Sequence, residues 1–131
     1  MGERANRERL AAEVCDVLNR YTEAFGRGDL DGVSAYVRFP VTYIGDDTVS
    51  NFDRYPFDPA RLKAKTGFDH TRINVDVVAV DDKKAHVMLN GTRHRADGSA
   101  IEGIEAVYIL LNGSDGWKIA AFSGVRTPAD A

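Results

Sequence analysis

The chain has 131 residues, of which 44% are hydrophobic and 28% are charged, as expected for a single globular domain with one core. The net charge of −3 and the lack of a basic cluster argue against a nucleic-acid-binding surface. No apolar stretch reaches membrane-spanning length, the first residues are too charged for a signal peptide, and one cysteine, Cys15, cannot form an internal disulfide. We therefore expect a cytoplasmic protein that contacts neither nucleic acid nor a membrane.

The N-terminal third of the sequence predicts a helical hairpin. Apolar residues between about 4 and 25 recur every three or four positions, which indicates an amphipathic helix with one buried stripe. Gly26 or Gly28 can adopt the left-handed conformation that ends this helix. Asp29 can then cap a second, shorter helix, which Pro40 ends. The apolar residues predicted on the inner side of this second helix are Leu30, Val33, Tyr36 and Val37.

The remainder of the sequence predicts strands and one more helix. Two short strands are expected around a turn at Asp46 and Asp47. Asp58 followed by Pro59 is typical of a helix start, and Gly67 closes the helix that follows. Alternation of apolar and polar residues then predicts a long antiparallel meander. The predicted strands cover about 41–44, 48–52, 73–77, 84–95, 100–111 and 117–125, followed by a polar tail at 126–131.

Helices followed by a meander of strands are typical of an α+β domain. A strongly curved antiparallel sheet can wrap around the helices as a cone-shaped α+β barrel and leave a cavity between sheet and helices. Such a cavity is where a ligand site is expected. We predict a single domain over 1–131, with its core at about 8–125.

This arrangement, from about 10 to 125, resembles the nuclear transport factor 2-like superfamily, which includes ketosteroid isomerases, SnoaL-like polyketide cyclases, scytalone dehydratase and limonene epoxide hydrolase. The segment RYTEAFGRGDLDGV (20–33) is most similar to the ketosteroid isomerases. The resemblance gives Tyr21 the position of their oxyanion-hole tyrosine. With a one-residue gap it gives Asp46 the position of their general base, and the position of their second, protonated aspartate is Val107.

The predicted hairpins suggest which side chains share a face of the sheet. A two-residue turn at 97–98 places Asn90 opposite Glu105, and a five-residue loop in the next hairpin would place Glu105 opposite Ser123. The resemblance assigns the face that contains Val107 to the cavity. Tyr43 is expected at the mouth of the cavity and His94 at its rim. The residues predicted to line the cavity are Tyr43, Met88, Asn90, Thr92, His94, Val107 and Ser123.

The opposite face is then expected to point outward. It is also apolar, so it predicts an interface, and sheet-to-sheet dimers are common in the superfamily. We expect a homodimer through this outer face; the alternative is that Tyr108 and Phe122 are simply half-exposed. Arg93 and Glu102 oppose each other on this face and predict a solvent-side ion pair. The residues assigned to it are Val87, Leu89, Ile104, Ala106, Tyr108, Leu110 and Phe122.

Glu105 is the first candidate for a proton-transfer group. It is the one acid predicted in the middle of a strand on the cavity face, where burial would raise the pKa of its carboxyl group toward neutrality. The alternative is a structural role at the sheet rim, with hydrogen bonds to Asn90 and Ser123. Tyr21 would donate to developing negative charge, although a tyrosine on an apolar helical stripe is more often a core residue. Asp46 is the second candidate for the base.

These expectations together predict a pocket protein for a small, mostly apolar organic molecule. No cofactor is expected, and the three histidines and one cysteine do not have the spacing of a metal site. The protein would be a cofactor-independent isomerase, dehydratase or cyclase acting by proton transfer. The alternative is a non-catalytic ligand-binding or dimerisation module. Several polar groups that converge in the cavity would favour an enzyme, whereas a cavity filled by side chains would favour the module.

Overall fold

The protein is described by a computed structural model over residues 2–128, in which helices cover one face of a curved, six-stranded sheet. The elements in chain order are α1 (Glu3–Arg27), α2 (Leu30–Ser34), β1 (Val37–Ile44), β2 (Val49–Phe52), α3 (Pro59–Thr66), β3 (Phe68–Val80), β4 (Lys84–Arg95), β5 (Ala100–Gly113) and β6 (Gly116–Pro128).

The break between α1 and α2 is made by Gly28 and Asp29, as the sequence predicts. Gly28 has φ 72° and ψ 21° and caps α1, and the Asp29 carboxylate accepts a hydrogen bond from the backbone N–H of Gly32 at 2.9 Å. The predicted end of the second helix at Pro40 is wrong, because α2 ends at Ser34 and Pro40 lies inside β1. Pairing of this segment with β6 replaces its helical periodicity.

The sheet has the order β2-β1-β6-β5-β4-β3 and is not closed. The α+β class and the curved sheet around N-terminal helices are confirmed. One feature differs from the predicted antiparallel sheet: β1 and β6 pair in parallel, whereas all the other neighbours are antiparallel. Register shifts interrupt most of the pairings, including β3–β4, β4–β5 and β5–β6, and such bulges bend a sheet.

The registers of the two long hairpins differ in how well the sequence predicts them. The β4–β5 register is confirmed, with Asn90 opposite Glu105. The β5–β6 register is wrong by two residues, because Glu105 pairs with Val125 instead of Ser123. The strands continue further than predicted, so that only residues 114–115 separate them.

The prediction of which sheet face is inner is wrong. The buried stripe of α1, with Leu10, Val14 and Leu18, belongs to one core cluster with side chains of the face that was expected to point outward. Met88 and Val107, which were expected in the cavity, are 45% and 42% exposed. Apolar burial explains the difference, because this stripe covers the more apolar of the two faces. The inward-facing residues of β4, β5 and β6 are Val87, Leu89, Ile104, Ala106, Tyr108, Leu110 and Phe122.

Helix α3 forms where the sequence predicts it. The Asp58 carboxylate accepts a hydrogen bond from the backbone N–H of Arg61 at 3.2 Å, and Gly67 closes the helix with φ 79°. Strand β6 continues through Pro128, into the segment predicted as the start of a polar tail. The rest of that predicted tail, residues 129–131, lies outside the described part of the chain.

Candidate functional site

A cavity of about 460 Å³ lies between α1, the segment from β2 through α3, and the inner face of the sheet. Helix α1 contributes Tyr21 and Phe25, and the β2–α3 loop contributes Tyr55 and Phe57. The sheet forms the opposite wall. Gly28, where α1 ends, and Asp58, which caps α3, thus set the ends of the two helices that border the cavity.

Aromatic rings form most of the apolar wall. Their centroids lie 5.2–6.4 Å apart in mostly edge-to-face or tilted pairs, an arrangement that aromatic side chains favour. Tyr43 illustrates this, since it packs edge-on against Phe57 at 5.2 Å. The aromatic residues around the cavity are Tyr21, Phe25, Tyr43, Tyr55, Phe57, Tyr108 and Phe122.

Three tyrosines meet inside this wall. The hydroxyl oxygens of Tyr21 and Tyr55 are 2.6 Å apart, and the ring of Tyr108 packs edge-on against Tyr21 at 6.2 Å between centroids. Burial raises the pKa of Tyr21 well above its ordinary value and also raises that of Tyr55. Burial raises the pKa of Tyr108 to about 12, although the Arg93 charge opposes this. All three phenols are therefore neutral near pH 7 and can act as hydrogen-bond donors.

A partly buried ion pair brings one cationic side chain, Arg93, to the cavity wall. Nη1 of Arg93 donates to Oε2 of Glu102 at 2.6 Å, and the two side chains are only 18% and 20% exposed. The guanidinium carbon of Arg93 lies 6.0 Å from the ring centroid of Phe25, and its buried Nε has no hydrogen-bond partner among residues 2–128. The cross-strand pair is confirmed, but it lies on the inner face of the sheet, where Arg93 lines the cavity, and not on the solvent side.

Three more cationic side chains border the same space. Arg61 and Lys65 are four residues apart on α3, so they share one face of that helix, and Arg126 comes from β6. Asp58 is the one acid among the described residues that line the cavity, and it caps α3.

Glu105 does not belong to this cavity. It is exposed on the outer face, opposite Asn90, so the apolar burial that was expected to make it a proton-transfer group is absent. This basis for its catalytic role is wrong. Asp46 is also exposed, in the turn between β1 and β2. Tyr21 does line the cavity.

The predicted cavity-lining residues divide into two groups. Tyr43 and Ser123 border the cavity, although Ser123 Oγ donates to the backbone carbonyl of Ile44 at 2.8 Å. The others lie on the outer face because the face assignment was inverted, and some of them surround a separate hollow there together with Glu105. His94 stacks on His70 with centroids 5.1 Å apart. The misassigned residues are Met88, Asn90, Thr92, His94 and Val107.

Sequence reasoning missed most of the residues that line the cavity. The loop residues Tyr55 and Phe57 carried a signal, since aromatic and charged residues alternate there in a pattern unusual for a plain connection. Arg93 also carried a signal. It lies an even number of positions after Val87 and Leu89 on the same strand, so it belongs to the same, buried face. Arg126 had no comparable signal in the sequence.

Two further features bear on the function. Among residues 2–128, no three His, Cys, Asp or Glu side chains are grouped so that they could hold a metal ion. No helix in this part of the chain is long and apolar enough to cross a membrane.

Comparison with known proteins agrees with this fold. A family model described as NTF2-like protein (DUF6841) matches residues 59–127, whereas no curated protein matches the chain. One similar solved structure, from Nostoc punctiforme, is a protein of unknown function with a cystatin-like fold; the TM-score is 0.68 at 11% identity, with 90% of this chain and 91% of that chain covered. An NTF2-like protein of unknown function from Shewanella oneidensis has a TM-score of 0.66 at 15% identity, covering 86% and 96%. A ketosteroid isomerase-like protein from Erwinia carotovora atroseptica has a TM-score of 0.63 at 17% identity, covering 88% and 95%. These identities establish a shared fold only.

Proposed function

Since the chain belongs to the NTF2-like family DUF6841, whose model matches more than half of it, we propose that it is a pocket protein that binds a small organic molecule with an apolar body. The observation that carries this proposal is the unfilled space of about 460 Å³ behind aromatic rings. Protein interiors are otherwise packed with few voids larger than a water molecule. This volume falls in the usual range of small-molecule sites. A module with a vestigial pocket would instead fill the space with side chains.

A cavity-blocking variant with a matched control tests the proposal. Gly124 borders the cavity, and a Cβ placed there would meet only ordinary contacts, 3.8 Å from Ile104 Cγ2 and 4.0 Å from Ala106 Cβ. Gly124→Phe therefore directs a ring into the cavity without a backbone clash. The adjacent Val125 lies on the outer face and is 62% exposed, so Val125→Phe adds a ring outside the cavity.

The probe is N-phenyl-1-naphthylamine, a neutral apolar fluorophore whose emission rises in a dry environment. We expect saturable binding to the wild type and to Val125→Phe, and loss of binding in Gly124→Phe. Circular dichroism and thermal melting verify that both variants fold. Equal binding by the three proteins, or no saturable binding by the wild type, would contradict the proposal.

A proton-transfer enzyme is the second candidate function. The observation that favours it is the hydroxyl pair of Tyr21 and Tyr55 at 2.6 Å. One hydroxyl donates to the other, and the proton of the second stays available as a preorganised donor that can stabilise negative charge developing during a reaction. The resemblance to ketosteroid isomerases gives Tyr21 this role. A base is less well supported: Asp58 caps α3, and Glu102 is paired with Arg93. Binding is therefore the leading proposal, and isomerase, dehydratase or cyclase activity is the finer one.

Homodimerisation through the outer sheet face remains a prediction. The residues that support it differ from those first chosen, since Tyr108 and Phe122 border the cavity. Apolar side chains on the outer face are instead Met88, Val107 and Val125, which are 45%, 42% and 62% exposed.

A further inference from the structure

We propose that the ligand of this cavity is an organic anion, with an aromatic or other apolar body inside and a carboxylate, sulfonate or phosphate group at the cationic end. This inference rests on the proposed binding function and adds the chemical class of the ligand. The group would be held by Arg61, Lys65 and Arg126, with Arg93 as a fixed positive charge behind them.

The first support is the distribution of charge. The whole chain has a net charge of −3, yet the cavity wall, among residues 2–128, contains four cationic side chains and one acidic one, Asp58. Cavities lined by one sign of charge concentrate ligands of the opposite sign. A cationic ligand would be repelled by this wall, and a neutral ligand would form no ionic contact with the excess positive charge of the wall.

The second support is that three of these cations have no acidic partner in the described part of the chain. None of Arg61, Lys65 and Arg126 has a carboxylate oxygen within 4.0 Å among residues 2–128, unlike the arginines that form ion pairs along α1, for example Arg20 with Asp16 at 2.8 Å. Other arginines of the described chain, such as Arg38 and Arg72, have no such partner either. Lone cations at a surface are usually just hydrated. Here they approach one cavity from two elements, α3 and β6, so a single bound anion could contact both sides.

The third support is Arg93, which is not an ordinary surface cation. Its side chain is 18% exposed, and its buried Nε lacks a hydrogen-bond partner in the described chain. A buried donor without a partner is costly. Glu102 and Phe25 hold the guanidinium group of Arg93 in place, while the Glu102 carboxylate offsets part of its charge. A fixed positive charge of this kind loses little freedom when an anion binds.

The fourth support is that the cavity is also lined by neutral tyrosine hydroxyl groups, which can donate hydrogen bonds. The hydroxyl groups of Tyr21, Tyr55 and Tyr108 stay protonated near pH 7. Donors of this kind complement an oxygen-bearing ligand.

The experiment compares two probes that differ by one group. 1-Anilinonaphthalene-8-sulfonate has the ring system of N-phenyl-1-naphthylamine plus a sulfonate. We expect the wild type to bind the sulfonate more tightly by about tenfold, as two partly exposed charge-assisted contacts would give. Added salt should reduce this advantage and leave the neutral probe unaffected.

A charge-matched pair of double variants locates the effect. Arg61→Gln with Arg126→Gln removes two charges at the cavity, and Arg38→Gln with Arg72→Gln removes two exposed charges elsewhere on the sheet. We expect the first pair to abolish the tenfold advantage of the sulfonate without changing the affinity of the neutral probe. The second pair should bind both probes as the wild type does.

The outcomes separate this inference from the proposed binding function. If both probes bind equally well, or if both double variants weaken the sulfonate equally, the anion site is wrong while the cavity still binds ligands. If the cavity variants weaken both probes equally, the arginines act on the fold and the inference is again wrong. Failure of Gly124→Phe to block the neutral probe would remove the binding function itself.

Discussion

The Arg93–Glu102 pair gives the sharpest stability prediction, because the contribution of this ion pair to the free energy of unfolding depends on whether its face of the sheet is buried. Glu102→Gln keeps the size and shape of the side chain and removes its charge. Arg93 then remains beside the cavity without this charged partner, and its Nε already has no hydrogen-bond partner within residues 2–128. The protein should become less stable.

The expected magnitude follows from the partial burial of the pair. Exposed ion pairs contribute roughly 0.2–1 kcal/mol, whereas removing one partner of a fully buried pair costs about 3–5 kcal/mol. The side chains of Arg93 and Glu102 are 18% and 20% exposed, so the pair lies between these limits. We expect Glu102→Gln to lower the free energy of unfolding by about 2 kcal/mol. For a domain of this size that is a fall in Tm of roughly 6–10 °C.

The assay is urea unfolding followed by the fluorescence of the single tryptophan, Trp117, which is 5% exposed in the core. The matched control is Asp16→Asn, which breaks the Arg20–Asp16 pair on α1, where both side chains are 61% exposed. This control should have no measurable effect. Glu102→Gln should also bind the sulfonate probe more tightly, because it frees the Arg93 charge. If the two variants lose equally little stability, the Arg93–Glu102 pair is solvated and its assignment to the buried face is wrong.

Three other predictions test separate parts of the structure. Gly91→Ala would place a Cβ 2.6 Å from a backbone carbonyl of β3, so we expect a loss of about 1–3 kcal/mol in urea unfolding, whereas Gly113→Ala, with no atom within 4 Å of its new Cβ, should change little. The raised pKa of Tyr108 means that the folded state holds this proton more tightly than the unfolded state. The contribution of Tyr108 to the free energy of unfolding, at most about 2.7 kcal/mol, should be fully present below pH 10 and lost as the pH rises toward about 12. Tyr108→Phe should flatten this part of a curve of stability against pH. Met88→Glu combined with Val107→Glu should yield a monomer in sedimentation if the outer face carries a homodimer, and a wild type that is already monomeric at high micromolar concentration would contradict the dimer.

Local signals in the sequence predicted the parts of the fold that depend on local chemistry. Asp58 and Gly67 define α3 because a carboxylate cap and a left-handed glycine act within a few residues. The β4–β5 register followed from the short turn that joins these strands. The parallel pairing of β1 with β6 could not be predicted this way, because the two strands are about 80 residues apart and no local residue specifies their contact.

The inverted sheet face shows where a resemblance can mislead. Both faces contain apolar residues. Because side chains alternate between the two faces along a strand, assigning one residue to the wrong face assigns every other side chain of that strand to the wrong face as well. The resemblance placed Val107 inside because its aligned counterpart is catalytic. Hydrophobicity alone favoured the other orientation, since the face with Leu89 and Ala106 lacks the polar residues Asn90 and Glu105 that accompany Val107.

This inversion also changes which chemistry the cavity can support. With Glu105 inside, the cavity would have held an acid in an apolar environment, suited to moving protons. With Arg93 and Tyr108 inside, it holds a fixed cation and neutral donors, which are suited to binding oxygen-bearing anions. An enzyme would still need a base, and both Asp58 in the wall and Glu102 behind Arg93 already have other hydrogen-bond partners. A substrate that carried its own basic group could act with the tyrosine donors alone, and in that case activity would be lost in Tyr21→Phe while binding of the anionic probe remained.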